Sequence, residues 1–240
     1  MNINQGKPCH RSNYTAGRGG NRIRYIVIHF TANNGDTAQN NCMYFSSKDR
    51  GASAHYFVGD DGIYQSVQDG DRAWHCGGTM RYKHSYCRNM NSIGIEMCSR
   101  KDASEQFYIK DNVVADAVEL TKYLMNKYNI PAENVIRHYD VWNKQCPEPF
   151  VRNEKLWTDF KNRLTEEDYD MSLLKPLADK YGEAAVKDAV ESIIVAREDA
   201  PWKTQGSDYL HANCNFSDVH SHNEPVTFGV LGTILTKLKR

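Results

Sequence analysis

The sequence predicts an α/β protein, a central mixed β-sheet flanked by helices, followed by a small, mainly helical C-terminal module. Three observations carry that prediction. Residues 22–30 form a mostly apolar run with β-branched residues, the pattern of a strand buried on both faces. Two β-rich runs joined by Asp60-Asp-Gly62 mark a hairpin. Between Asp111 and Tyr128, apolar side chains such as Val113, Ala117, Leu120 and Leu124 recur at helical spacing. Strands alternating with amphipathic helices pack as a sheet covered by helices.

In chain order, residues 1–21 are polar and read as a surface lead-in. The strand at 22–30 carries His29 next to its last residue, just before the turn Thr31-Ala-Asn-Asn-Gly-Asp36. The end of a central strand is where α/β proteins place site residues, because the backbone is fixed and the next loop opens a cleft. Residues 37–50 read as a helix with Asp36 or Thr37 as cap and Gly51 beyond its end. The hairpin follows, at 54–59 and 63–67. Residues 74–78 are a loop, and Ser92–Met97 is a strand with Glu96 near its end. Asn129-Ile-Pro131 stops the long helix, and Asn134-Val-Ile-Arg137 is a short strand leading into His138. Residues 153–164 form a closing helix, capped by Asn153 and buried through Leu156, Trp157, Phe160 and Leu164.

The acidic run Glu166-Glu-Asp-Tyr-Asp170 breaks the chain into domains at 1–165 and 166–240. In the second, Leu173, Leu177, Tyr181, Ala184, Ile193 and their neighbours mark another amphipathic helix, while 226–239 fits strand and helix equally.

At 240 residues with 40% hydrophobic and 25% charged residues, the chain can bury a sizeable core. Lys+Arg and Asp+Glu balance at 30 each, which argues against nucleic acid or an anionic membrane as the main partner. Seven cysteines without a CxxC pair do not read as a disulfide framework and fit a reducing cytoplasm. The first residues lack the apolar core of a signal peptide, and runs such as Tyr25-Ile-Val-Ile28 are too short for a membrane span. The expectation is a protein made in the cytoplasm without a signal peptide.

The chemistry concentrates in His138-Tyr-Asp-Val-Trp-Asn-Lys144-Gln-Cys146-Pro147. Imidazole and thiolate are the ligand types zinc prefers, and a lysine beside a thiol favours its ionised form. Taken singly, a histidine after a strand is more often a hydrogen-bonded core residue, and a cysteine a small buried hydrophobe. In combination, His29, His138 and Cys146 offer two nitrogens and one sulfur. That leaves a fourth tetrahedral position for water, the pattern of catalytic zinc.

Five segments then occur in order: Ile26-Val-Ile-His-Phe-Thr-Ala32, Ser53-Ala-His-Tyr-Phe-Val58, Ala73-Trp-His-Cys-Gly77, Ser92-Ile-Gly-Ile-Glu96 and the stretch from His138 to Cys146. Their succession, over residues 22–164, resembles the zinc-dependent N-acetylmuramoyl-L-alanine amidases of the phage-lysozyme and peptidoglycan-recognition-protein superfamily. The resemblance implies one zinc ion on His29, His138 and Cys146. It implies Lys144 at the oxyanion, Glu96 as general base and Tyr56 beside the zinc-bound water, with the division of labour between Glu96 and Tyr56 left open. Trp74 and His75 are expected to line the substrate groove; for His75 a loop-stabilising hydrogen bond is an equal alternative. His55, on an alternating strand, should face away from Tyr56 and reads as structural.

The substrate implied is peptidoglycan, cut between N-acetylmuramic acid and L-alanine, in the manner of a phage or prophage endolysin that reaches the wall after release. The C-terminal module would bind the wall, self-associate into a homo-oligomer or extend the catalytic domain. Two readings compete: a non-catalytic peptidoglycan binder of the same fold, and a cysteine peptidase with Cys146 as nucleophile and His138 as base. His211, Cys214, His220 and His222 have metal-ligand types, but their spacing fits no standard zinc module.

Overall fold

The computed structural model describes residues 1–77 and 82–165, with isolated positions 179, 180, 182 and 184 beyond them. The chain divides into two compact units, Met1–Glu166 and Glu167–Arg240. The expectations for the helix after Leu173, for the histidines after residue 210 and for 226–239 lie outside the described residues.

The strands are β1 (Ile3–Gln5), β2 (Tyr14–Thr15), β3 (Tyr25–Phe30), β4 (Tyr56–Gly59), β5 (Gly62–Gln65), β6 (Arg72–Ala73), β7 (Ser92–Met97), β8 (Arg100–Lys101), β9 (Phe107–Tyr108) and β10 (Val135–Arg137). The helices are α1 (Ala38–Ser47), α2 (Asp111–Tyr128), α3 (His138–Trp142), α4 (Glu148–Arg152) and α5 (Glu154–Thr165). Six strands form the main sheet in the order β1-β5-β4-β7-β3-β10. Only β4 and β5, the predicted hairpin, pair antiparallel within it. The sheet is therefore mixed, as expected, and β3 lies between β7 and the edge strand β10 with every residue buried.

Register decides which side chains share a face. Ile28 aligns with Ile95, and Ile95 with Tyr56; one step on, His29 aligns with Glu96, and Glu96 with Phe57. The first set, with Ile26, Ile93, Met97 and Val58, packs against Val113, Leu120 and Leu124 of α2 and against Trp157 and Phe160 of α5. Fully burying a side chain of this size stabilises by about 1.5–3 kcal/mol. The opposite face is half covered: Phe57 packs with Ala38 and Cys42 of α1, and Val27 with Val141 of α3. A gap between those two patches is left for the polar members of that face.

Local signals explain the helix ends. Thr37 accepts a hydrogen bond from Asn40 N and starts α1, and the Asp61 carboxylate also accepts from Ala38 N and Gln39 N. Asn129, in the left-handed conformation at φ 51°, closes α2.

Two expectations need correction. The first residues are more than a surface lead-in: Ile3–Gln5 pairs in parallel with β5, and the buried Arg18 guanidinium donates to Asp69 O, Met90 O and Ser92 O. In α5, Trp157, Phe160 and Leu164 point inward, but Leu156 is 42% exposed. Residues 157, 160 and 164 keep helical i, i+3, i+7 spacing, and the position before them falls about 100° away around the axis. Among the described residues no helix is long and apolar enough to cross a membrane.

Candidate metal centre

Strands β7, β3 and β10 are parallel neighbours, so their C-terminal ends meet along one edge of the sheet. Arg137, last in β10, aligns with Ile28; the next residue on each strand is His138 and His29. Arg137 also holds α3 in place, donating from N and Nε to Asp140 Oδ2 at 2.9 and 3.0 Å. Asn143, left-handed at φ 60°, ends α3 and turns the chain back. Tyr139 N then donates to Cys146 O at 2.9 Å, a cis peptide bond joins Cys146 to Pro147, and Cys146 Sγ comes to 3.7 Å from His29 Nδ1.

The rings of His29 and His138 lie 4.6 Å apart, and ligand atoms of His29, His138 and Cys146 all fall within 4.8 Å of one another. All three side chains are buried. Neither ring nitrogen of His138 has a hydrogen-bond partner, and Glu96 Oε2 has none either. A buried polar atom left without a partner costs about 1–3 kcal/mol, so two on one imidazole beside a thiol and a second imidazole mark a place for a ligand. Burial drives His29 well below the ordinary histidine range, helped by His138, and holds His138 down at about 4, helped by the Lys144 charge. Both rings are thus neutral, as metal ligation requires. Burial pushes the Cys146 thiol up, so it needs a cation close by to ionise. The donor set fits a metal that takes nitrogen and sulfur.

Glu96 stands beside His29 on the same face, with Oε1 3.9 Å from His29 Nδ1 and 21% of its side chain exposed to the cleft. Burial raises its carboxyl to about 8, against the opposing pull of Lys144. Lys144 itself is exposed in the turn after α3, and its charge acts on His29, Glu96, His138 and Cys146 together.

Tyr56 is not brought to this cluster. Alternation along β4 puts it on the helix-covered face with Ile95 and Ile28, where its hydroxyl donates to Asp69 Oδ1 at 2.7 Å. Trp74 is half-buried, its indole N–H donating to Thr15 Oγ1 at 2.9 Å. His75 lies behind His29 rather than on a groove surface: its Nδ1 is 3.1 Å from His29 Nε2 and its Nε2 is 3.1 Å from Ser92 Oγ. His55 is buried on the His75 side, where its Nδ1 accepts from Gly94 N at 3.0 Å, in keeping with a structural role.

Sequence reasoning missed Ser92 and Gly94. A Cβ at Gly94 would lie 2.5 Å from His75 Cγ, so only glycine leaves room for that ring. A glycine inside a strand is the available signal, since it marks close approach of another group.

Comparison with known proteins agrees with this geometry. A family model described as N-acetylmuramoyl-L-alanine amidase matches residues 19–149. The chain is 34% identical over 149 residues to a probable N-acetylmuramoyl-L-alanine amidase of Bacillus licheniformis, covering 59% of this chain and 41% of the relative. It thus spans about two fifths of the length of the curated relatives it matches. Among solved structures, PlyL superposes with a TM-score of 0.58 at 27% identity, covering 70% of this chain and 100% of that one. A mutant endolysin from Bacillus subtilis superposes at 0.55 with 31% identity, covering 68% of this chain and 99% of the other.

Proposed function

The chain belongs to the N-acetylmuramoyl-L-alanine amidase family, and from that premise we propose that it is a zinc-dependent hydrolase of peptidoglycan. The bond cut is the amide between the lactyl group of N-acetylmuramic acid and L-alanine of the stem peptide. One observation carries this reading: the buried cluster of His29, His138 and Cys146, with both His138 nitrogens unpartnered, set beside the Glu96 carboxyl, whose Oε2 is unpartnered too.

His29, His138 and Cys146 would hold the zinc, which when bound supplies Lewis acidity toward water and the scissile carbonyl. The remaining work belongs to the chain. Glu96, beside His29 with Oε2 unpartnered, takes a proton in its ionised form from the attacking water and returns it to the departing amine. Lys144 reaches over the cleft from its exposed turn and meets the charge that develops on the carbonyl oxygen, a contact worth about 100- to 1000-fold in rate. Water attacks directly, so no acyl-enzyme is needed. Cys146 is a poor candidate for a peptidase nucleophile, because it is buried and its thiol is raised rather than lowered. Tyr56, on the other face of the sheet, takes no part.

Action at the cell wall, in the manner of an endolysin, follows from that substrate. Residues 1–165 are assigned to catalysis and residues 166–240 to wall attachment or self-association. Mass analysis of digested cell walls tests the reading. The expected products carry a new N-terminal L-alanine and an intact lactyl group, and both vanish with a chelator or with Cys146→Ser. New reducing sugar ends, or walls bound but uncut by the zinc-loaded protein, would refute it.

A further inference from the structure

We infer that His75 is a positioning residue that fixes the tautomer of His29, holding His29 Nδ1 unprotonated toward the metal position through a one-way hydrogen-bond chain that ends on a backbone carbonyl. The inference rests on the metal centre proposed above, but the chain is set by donors and acceptors within this protein.

The directions follow from the far end. Ser92 Oγ lies 2.7 Å from the Arg88 carbonyl, which can only accept, so the hydroxyl proton of Ser92 points there. The other neighbour of that oxygen, Cys76 Sγ at 3.7 Å, makes a much longer contact. Having given its proton to Arg88 O, Ser92 Oγ can only accept from His75 Nε2 at 3.1 Å. His75 therefore carries its proton on Nε2, and as a neutral, buried imidazole it has a bare Nδ1. That Nδ1, 3.1 Å from His29 Nε2, must accept, so His29 is protonated at Nε2. Its Nδ1 is then a lone pair, and it is this nitrogen that faces Cys146 Sγ at 3.7 Å.

The sequence builds this chain into one strand. Ser92, Gly94 and Glu96 alternate onto the same face of β7: the first anchors the His75 ring, the second makes room for it and the third stands beside His29. Asn89 Oδ1 accepts from His75 N and Cys76 N at 3.1 and 2.8 Å and pins the loop that carries the ring. Metal-bound histidines usually give their second N–H to a carboxylate, carbonyl or water. Here a second histidine takes that place and passes the demand on to Ser92. With His75 gone, His29 is free to move its proton to Nδ1 and swing its ring, and both changes oppose ligation.

Two measurements test this. Long-range proton–nitrogen correlation spectra of the metal-free protein with labelled histidine report which ring nitrogen carries hydrogen. The expected result is Nε2–H on both His29 and His75; a proton on His29 Nδ1 overturns the inference without reference to zinc. Zinc affinity is then read by competition with a chromophoric chelator. His75→Phe should weaken it about 10- to 100-fold, the range found for lost outer-shell partners. His75→Gln can still accept from His29 and donate to Ser92, and should stay within roughly threefold of wild type. Equal affinity in wild type and His75→Phe overturns the inference, and if that variant fails to fold the tautomer spectrum of the wild type still decides. Failure of the wild type to bind zinc instead sinks the proposed function, which keeps the two failures apart.

Discussion

Strand β7 shows its two sides to two different environments. Toward α2 and α5 it presents Ile93, Ile95 and Met97, all fully buried in the largest apolar cluster of the first unit. Toward the metal position it presents Ser92, Gly94 and Glu96, which contribute no large apolar surface; a hydroxyl anchors His75, a missing side chain makes room for it, and a carboxyl reaches the cleft. The first side is specified by volume and the second by atom placement. The difference teaches that the apolar side holds the backbone still enough for the polar side to aim single atoms, which a loop-borne site would not achieve as well.

That division can be broken in stages. The largest effect is expected at Cys146, where Cys146→Ser should abolish zinc binding and amide hydrolysis while thermal melting of the metal-free protein stays close to wild type. Next comes Lys144→Ala, with kcat lower by about 100- to 1000-fold and stability unchanged, because the side chain is exposed. On the other side of the sheet the signature inverts. Ile95→Ala should cost about 2–5 kcal/mol in equilibrium denaturation, with zinc affinity per folded molecule unaltered. A large loss of affinity there would show that the two sides are not separable.

Smaller effects sharpen the same contrast. Tyr56→Phe removes the hydroxyl that donates to the buried Asp69, at a cost of about 1–3 kcal/mol. Its kcat should match wild type, and a hundredfold fall in kcat would return Tyr56 to the reaction. The smallest signal is electrostatic. The folded Glu96 carboxyl sits at about 8, above its ordinary 4.5, so its contribution is complete below 4.5 and is lost as pH rises through 8. The histidines stay neutral in that upper window, because their folded values lie below 6.5. The Glu96 contribution should therefore fall by about 1 kcal/mol between pH 7 and pH 9 in the metal-free protein, alongside a loss from buried cysteines whose thiols are also raised. Glu96→Gln should make the slope in denaturation curves shallower by that amount; an unchanged slope would mean the carboxyl is ionised throughout.

Much of this was legible in the chain itself. The period of the long amphipathic run matches Asp111–Tyr128 residue for residue, and the alternating Ser92–Met97 marks β7. The residue types of His29, His138 and Cys146 single them out before any geometry, and the structure brings them together. Tyr56 was legible in type but not in direction: its face depends on register with Ile95, a relation between strands that one strand does not state. Ile3–Gln5 is too short to show a period, and its partner Ile63–Gln65 lies some sixty positions away. Arg18 left no apolar signal, since it is buried to satisfy carbonyl oxygens of three distant residues. For His75 the sequence leaves groove lining and a hydrogen-bonding role level, because its partner Ser92 Oγ lies 17 positions on and across a loop.

The parallel pairing of β10 with β3 also sets an order in time. A parallel neighbour can arrive only after a crossover, here the path through α2. His29 and Cys146 are 117 positions apart, so during synthesis the first waits on the ribosome for most of the unit to emerge before the second exists. Contacts of such separation form late, after local hairpins and helices. The contact between His29 and Cys146 is therefore expected among the last of this unit to form, and a chain released before residue 146 lacks the thiol of the proposed metal centre.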